Sequence, residues 1–169
     1  NAHDLEAPFG PPVLQLAGRD APRLLALAEA GAEARMIVAG TRARAVSHSI
    51  RAELPGAGPP LVLLTPRTSW WTSTAERGGG ILAWLAALKA LAGASRARGV
   101  VALATCGHEL GHIGAHQAFA AEPHLATDAP LVIHLGANLG AAEDERLAVR
   151  SNVPELAERM AALLEAAGH

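Results

Sequence analysis

Strands alternating with helices from Leu61 onward predict an α/β domain built on a sheet. Three observations carry this. Residues 61–64 and 100–105 are short, continuous apolar runs, as expected of strands buried on both faces. Between them, Leu82, Leu85, Leu88 and Leu91 recur at helical spacing. The second run leads straight into Cys106-Gly107-His108-Glu109-Leu110-Gly111-His112, and strand ends are where α/β folds gather their chemistry.

The elements follow in order. The first dozen residues, with Pro8, Pro11 and Pro12, read as an irregular lead-in. Residues 13–17 suit a short strand. Residues 21–30 suit a helix, with Asp20 as N-cap, Pro22 in the first turn and Gly31 at its end. Residues 35–39 are apolar and β-prone. Residues 44–54 read as a half-buried strand, although Val46, Ile50, Ala52 and Leu54 keep no single phase. Pro55-Gly56-Ala57-Gly58-Pro59-Pro60 is a turn. Gly78-Gly79-Gly80 precede the helix over 81–91. Residues 109–120 are expected to be helical and 131–135 to form a strand. Asn152-Val153-Pro154-Glu155 opens a last helix reaching about Ala166. There is no internal repeat and no long disordered tract.

Composition bounds the function. At 169 residues the chain is long enough for one domain with a core. A net charge of −2 shows no basic bias and speaks against nucleic acid as a partner. No apolar run approaches a membrane span, so no membrane partner is expected. No secretory signal is visible, but the chain starts at Asn1 without Met, as processing or truncation would leave it. Cys106 is the only cysteine. It therefore has no internal disulfide partner and gives no information on compartment.

The run from Cys106 to His112 has the richest chemistry. Literally it contains His-Glu-x-x-His, in which His108 and His112 would bind zinc and Glu109 would be the base. That signature belongs inside a helix, whereas here a strand runs up to its first His. His116 extends the series at another four-residue step. His116, His124 and His134 are candidate third ligands at no recognisable spacing. The plain alternative is an ordinary mixed helix face. Glu109 is the best site candidate, because a carboxylate just past a buried strand is a common catalytic placement. Its alternative is a helix-start carboxylate stabilised by the macrodipole. His108 suits a general base or a ligand, or else a polar loop residue.

Glu76, before three glycines, reads as a site carboxylate on a turn or as a helix lead-in. Trp70 and Trp71 would wall a substrate pocket, unless they are buried under their loop. Arg67 would bind a carboxylate or phosphate, unless it is a surface charge. For Cys106, a buried inert thiol is the better reading than a Cys-His nucleophile pair.

The stretch 44–142 resembles the zinc-dependent aminopeptidase family that includes bacterial leucyl aminopeptidases and glutaminyl cyclase-like enzymes. Ser49-Ile50-Arg51-Ala52-Glu53-Leu54-Pro55-Gly56 is similar to the family's first strand, usually Asn-Val-x-Ala-x-x-x-Gly. Residues 61–65 resemble its second strand. Glu76-Arg77-Gly78-Gly79-Gly80-Ile81-Leu82-Ala83-Trp84-Leu85 resembles the Asp-Asn-x-Ser-Gly turn and the helix it opens. Residues 100–114 resemble the strand ending in a Glu-Glu pair and x-Gly-x-x-Gly, and residues 131–140 resemble the next strand.

The resemblance implies a three-layer α/β/α sandwich with a mixed, largely parallel sheet over residues 44–169. Residues 1–43 would then be a lead-in or the tail of a preceding inserted domain. It also implies one or two zinc ions and a peptide or small amide substrate. The family holds two zincs with a His after the second strand, a bridging Asp, a Glu, another Asp and a late His, and a second Glu serves as general base.

Residue by residue, the bridging position carries Glu76, the ligand Glu position Glu109, and the base position His108. Where the first His is expected the chain has Thr65-Pro66-Arg67. The next Asp position falls near Gly136, with Asn138 close by, and the late His would lie beyond His169. The resemblance thus implies Glu76 and Glu109 toward metal and His108 as base or ligand, and the literal His-Glu-x-x-His reading adds His112 to the metal set. The function expected is a metal-dependent hydrolase of peptide or amide bonds with a diverged site. The alternative is an inactive relative kept for binding or assembly. The resemblance also leaves the family's last strands and helix without a counterpart here, which adds the expectation of a partner chain or oligomer completing the sheet.

Overall fold

The computed structural model describes residues 13–41, 43–70, 72–136 and 147–168. The chain divides between Val46 and Ser47 into two units, each described by itself.

Among the described residues of the first unit, a 3-10 turn, Gly18–Asp20, leads into helix α1, Ala21–Glu29. Pro22 sits in the first turn of α1, where its missing N–H costs nothing. Asp20 does precede the helix, but its side chain makes no cap bond. Residues 13–17 and 35–39 form no strand: they are apolar enough, but they have no hydrogen-bonding partner strand. None of the residues of α1 is buried.

The second unit is an α/β fold on a four-stranded mixed sheet in the order β1-β3-β2-β4. Strand β1 is Ile50–Leu54, β2 Leu61–Pro66, β3 Val100–Thr105 and β4 Val132–His134. Strand β1 runs antiparallel to β3, with Ile50 opposite Ala104 and Leu54 opposite Val100. Strands β3, β2 and β4 are mutually parallel, with Leu61 opposite Val100 and Val62 opposite Val132. All six residues of β3 are buried, which explains its unbroken apolar run. The strand expected over 44–54 begins only at Ile50. Its partner β3 ends at Thr105 and the chain turns at Gly107, so residues 44–48 have no residue of β3 opposite them.

Alternation along β3 sends its side chains to two cores. On one face Val100, Ala102 and Ala104 pack with Leu63 and Trp84, joined by Ala87, Leu88 and Leu91. These last four come from helix α2, Gly79–Gly93. Trp84 Nε1 donates to Leu63 O at 3.1 Å, satisfying the indole as it buries its rings. On the other face Val101 and Leu103 pack with Val62 and Leu125, joined by Ala118 and Phe119. Phe119 lies on α3, Ile113–Ala121, and Leu125 on α4, His124–Thr127. The last helix, α5, is Pro154–Ala166, with Pro154 in its first turn as expected and no buried residue.

Close backbone approaches fix how the helices meet the sheet. A Cβ on Gly80 would stand 2.2 Å from Gly136 O, and one on Gly114 would stand 2.7 Å from Cys106 O. Only glycine lets the start of α2 reach the chain leaving β4, and the start of α3 reach the end of β3. Both helices are thereby anchored beside the strand ends.

Among the described residues, no helix is long and apolar enough to cross a membrane.

Candidate site at the carboxyl ends of the strands

Two clusters of polar side chains lie just past β2 and β3. The first is centred on Arg77. A single π-helical turn, Thr74–Gly78, leads into α2 and carries both Glu76 and Arg77. Such turns reposition side chains that a regular helix would space differently. Arg77 is buried at 5% exposure and Glu109 at 9%. Arg77 Nη2 donates to Glu109 Oε1 at 2.5 Å and stands 3.0 Å from Glu76 Oε1. Arg77 Nε donates to Thr68 O at 2.7 Å. Nη1 is buried without a hydrogen-bond partner.

The carboxylates are held from their other side too. Thr68 Oγ1 donates to Glu109 Oε2 at 3.4 Å and accepts from Gly107 N at 2.9 Å. Ser73 Oγ donates to Glu76 Oε2 at 3.0 Å. Glu76 and Glu109, which the resemblance implies as metal ligands, are therefore brought together by one guanidinium nitrogen. A buried carboxylate needs a counter-charge and hydrogen bonds, and Arg77 supplies both.

The second cluster is the imidazole pair. The helix expected from residue 109 starts at Ile113. Gly107, Gly111 and His112 take φ of 66°, 80° and 60°, and left-handed residues cannot continue a right-handed helix. The intended stripe of His108, His112 and His116 is broken: His116 alone lies on α3, where it is exposed. The winding turn instead folds His112 back on His108. Their Nδ1 atoms are 3.0 Å apart, and the rings meet edge-on with centroids 4.1 Å apart. The pKa of His108 is lowered first by burial, then by His112 and Arg77, against an opposing pull from Glu109. That of His134, at the end of β4, is lowered by burial and by His112.

Arg67 lies past the end of β2, where one guanidinium nitrogen donates to His48 O. Trp70 is 53% exposed, and Trp71 lies outside the described residues. Cys106 is buried and free, with Ser49 Oγ 3.5 Å from its sulfur. Among the described residues, no three His, Cys, Asp or Glu side chains form a group that would hold a metal ion. As donors to zinc, Glu76 and Glu109 fit poorly, because a fixed cation already stands between them.

Sequence reasoning missed Arg77 and Thr68. The signal for Arg77 was there: a cation next to a candidate site carboxylate, on a turn whose glycines allow an unusual winding. Thr68 left no signal, since it matters only through its bond to a residue 41 positions away.

No protein-family model, curated protein or solved structure matches this chain.

Proposed function

We propose that this chain is a catalytically inactive, aminopeptidase-like domain used for binding or assembly, in which Arg77 replaces the metal. The supporting observation is the position of Arg77 Nη2, 2.5 Å from Glu109 and 3.0 Å from Glu76. In a working site of this kind the two carboxylates would hold a cation able to activate water. A guanidinium neutralises the same carboxylates but cannot lower the pKa of a bound water or polarise a carbonyl as a Lewis acid. The fold belongs to the same proposal: the α2 core on one sheet face and the α3–α4 core on the other are the two outer layers of a three-layer α/β/α sandwich.

The test is hydrolysis of a panel of aminoacyl anilides, dipeptides and glutaminyl peptides with added zinc. The proposal expects no zinc-dependent turnover that Glu109→Gln abolishes. Turnover that needs both zinc and Glu109 would restore the metal-dependent hydrolase, with Glu76 and Glu109 as ligands and His108 as base.

A further inference from the structure

We infer that His108 and His112 form a two-imidazole chelate for a zinc-like divalent cation, separate from the carboxylate cluster at Arg77. The inference goes beyond the functional proposal and stands whether or not the chain hydrolyses anything.

Geometry is the first support. Two imidazole nitrogens bound to one tetrahedral zinc at about 2.0–2.1 Å each lie roughly 3.3 Å apart, within a few tenths of an ångström of the observed pair. The Nδ1 atoms of His108 and His112 are 3.0 Å apart. The rings meet edge-on with centroids 4.1 Å apart, close enough for one cation to reach both nitrogens after small rotations of the rings. Without metal, one Nδ1–H donates to the other Nδ1. To ligate through both, the donor ring changes tautomer, and its proton passes through solvent to its own Nε2. No net charge or oxidant is required.

The second support is the backbone. His112 N donates to His108 O at 3.2 Å, and Ile113 N donates to Gly107 O at 3.2 Å. The turn is therefore closed at the backbone before the side chains contribute. His112 is also the single non-glycine residue with positive φ among those described. Glycine would hold this turn with less strain. A strained position occupied by a side chain with metal-binding chemistry, aimed at a second such side chain, points to a use for that side chain.

Neighbouring groups define the limits of the site. The Glu109 oxygens are engaged by Arg77 and Thr68, so Glu109 is not the third ligand. This separates the pair from a protease-type His-Glu-x-x-His centre. His134 on β4 lowers the pKa of His108, and His112 lowers that of His134, so a third imidazole faces the pair. With two protein ligands, solvent completes the shell.

The experiment is a zinc titration at constant neutral pH, read by long-range proton–nitrogen NMR of the imidazoles and by competition with a chromophoric chelator. All eight histidines of the chain are followed. The expected result is that Nδ1 of His108 and of His112 shift first and together, saturating at one zinc per chain. His112→Gly is expected to weaken zinc at least about tenfold without lowering the thermal midpoint, because it relieves the positive φ. His116→Ala and Glu76→Gln should leave affinity within about twofold. First saturation at other histidines, or affinity unchanged in His112→Gly, overturns the inference. Loss in Glu76→Gln overturns it too, and would place zinc at the carboxylates, against the functional proposal as well.

Discussion

At the level of single residues, Arg77 and His112 decide the chemistry. Arg77 is buried with its charge, and removing one member of a buried ion pair leaves the other uncompensated. Arg77→Met is therefore expected to cost about 3–5 kcal/mol of stability, measured by urea unfolding. Adding Glu109→Gln should recover most of that loss, since the orphaned charge goes. A double variant as unstable as the single one would mean that Arg77 matters by its bulk alone. His112→Gly should gain up to about 1 kcal/mol, the order of the left-handed penalty it removes, or at worst be neutral. These two residues were legible to different degrees. His112 stood out in the sequence as chemistry, but its conformation did not, because only the turn between Gly107 and Ile113 reveals the left-handed step. Arg77 looked like a neighbour of Glu76 and acquires its role only when β3 carries Glu109 to it.

Among the elements, what the sequence revealed depended on how burial is distributed. Strands β2 and β3 were readable because they are central, and continuous apolar runs suit burial on both faces. Helix α2 was readable from its leucine spacing, yet Leu82 and Leu85 of that series are exposed at 68% and 51%, and Trp84 makes the core contact. Residues 13–17 and 35–39 show the converse: apolar character without a partner strand makes no strand. The joints between elements carry two expectations for urea unfolding. Gly80→Ala should cost about 2–3 kcal/mol, because the new Cβ meets the carbonyl of Gly136 and the backbone must move. Leu125→Ala, which empties a fully buried position between α4 and the sheet, should cost about 3 kcal/mol. A cost well below 1 kcal/mol for either would show that the helix in question is not docked as described.

For the whole molecule, stability is concentrated in the unit beginning at Ser47. Hydrogen exchange should show the slowest amides in β2 and β3, opening only with global unfolding. Amides of α1 should exchange orders of magnitude faster, since a nine-residue helix with no buried side chain is marginal on its own. Equal protection in α1 and β3 would contradict that division. The α/β class follows from the order of strands and helices, whereas the antiparallel pairing of β1 with β3 that makes the sheet mixed does not. The functional proposal rests on what lies between Glu76 and Glu109, which no spacing rule discloses. The most direct measurement is a crystal structure of the chain soaked with zinc, with anomalous data collected at the zinc edge. The prediction is that Arg77 remains between Glu76 and Glu109, with no anomalous peak within bonding distance of either carboxylate. An anomalous peak bridging those two carboxylates, with Arg77 displaced, would contradict the account at its centre.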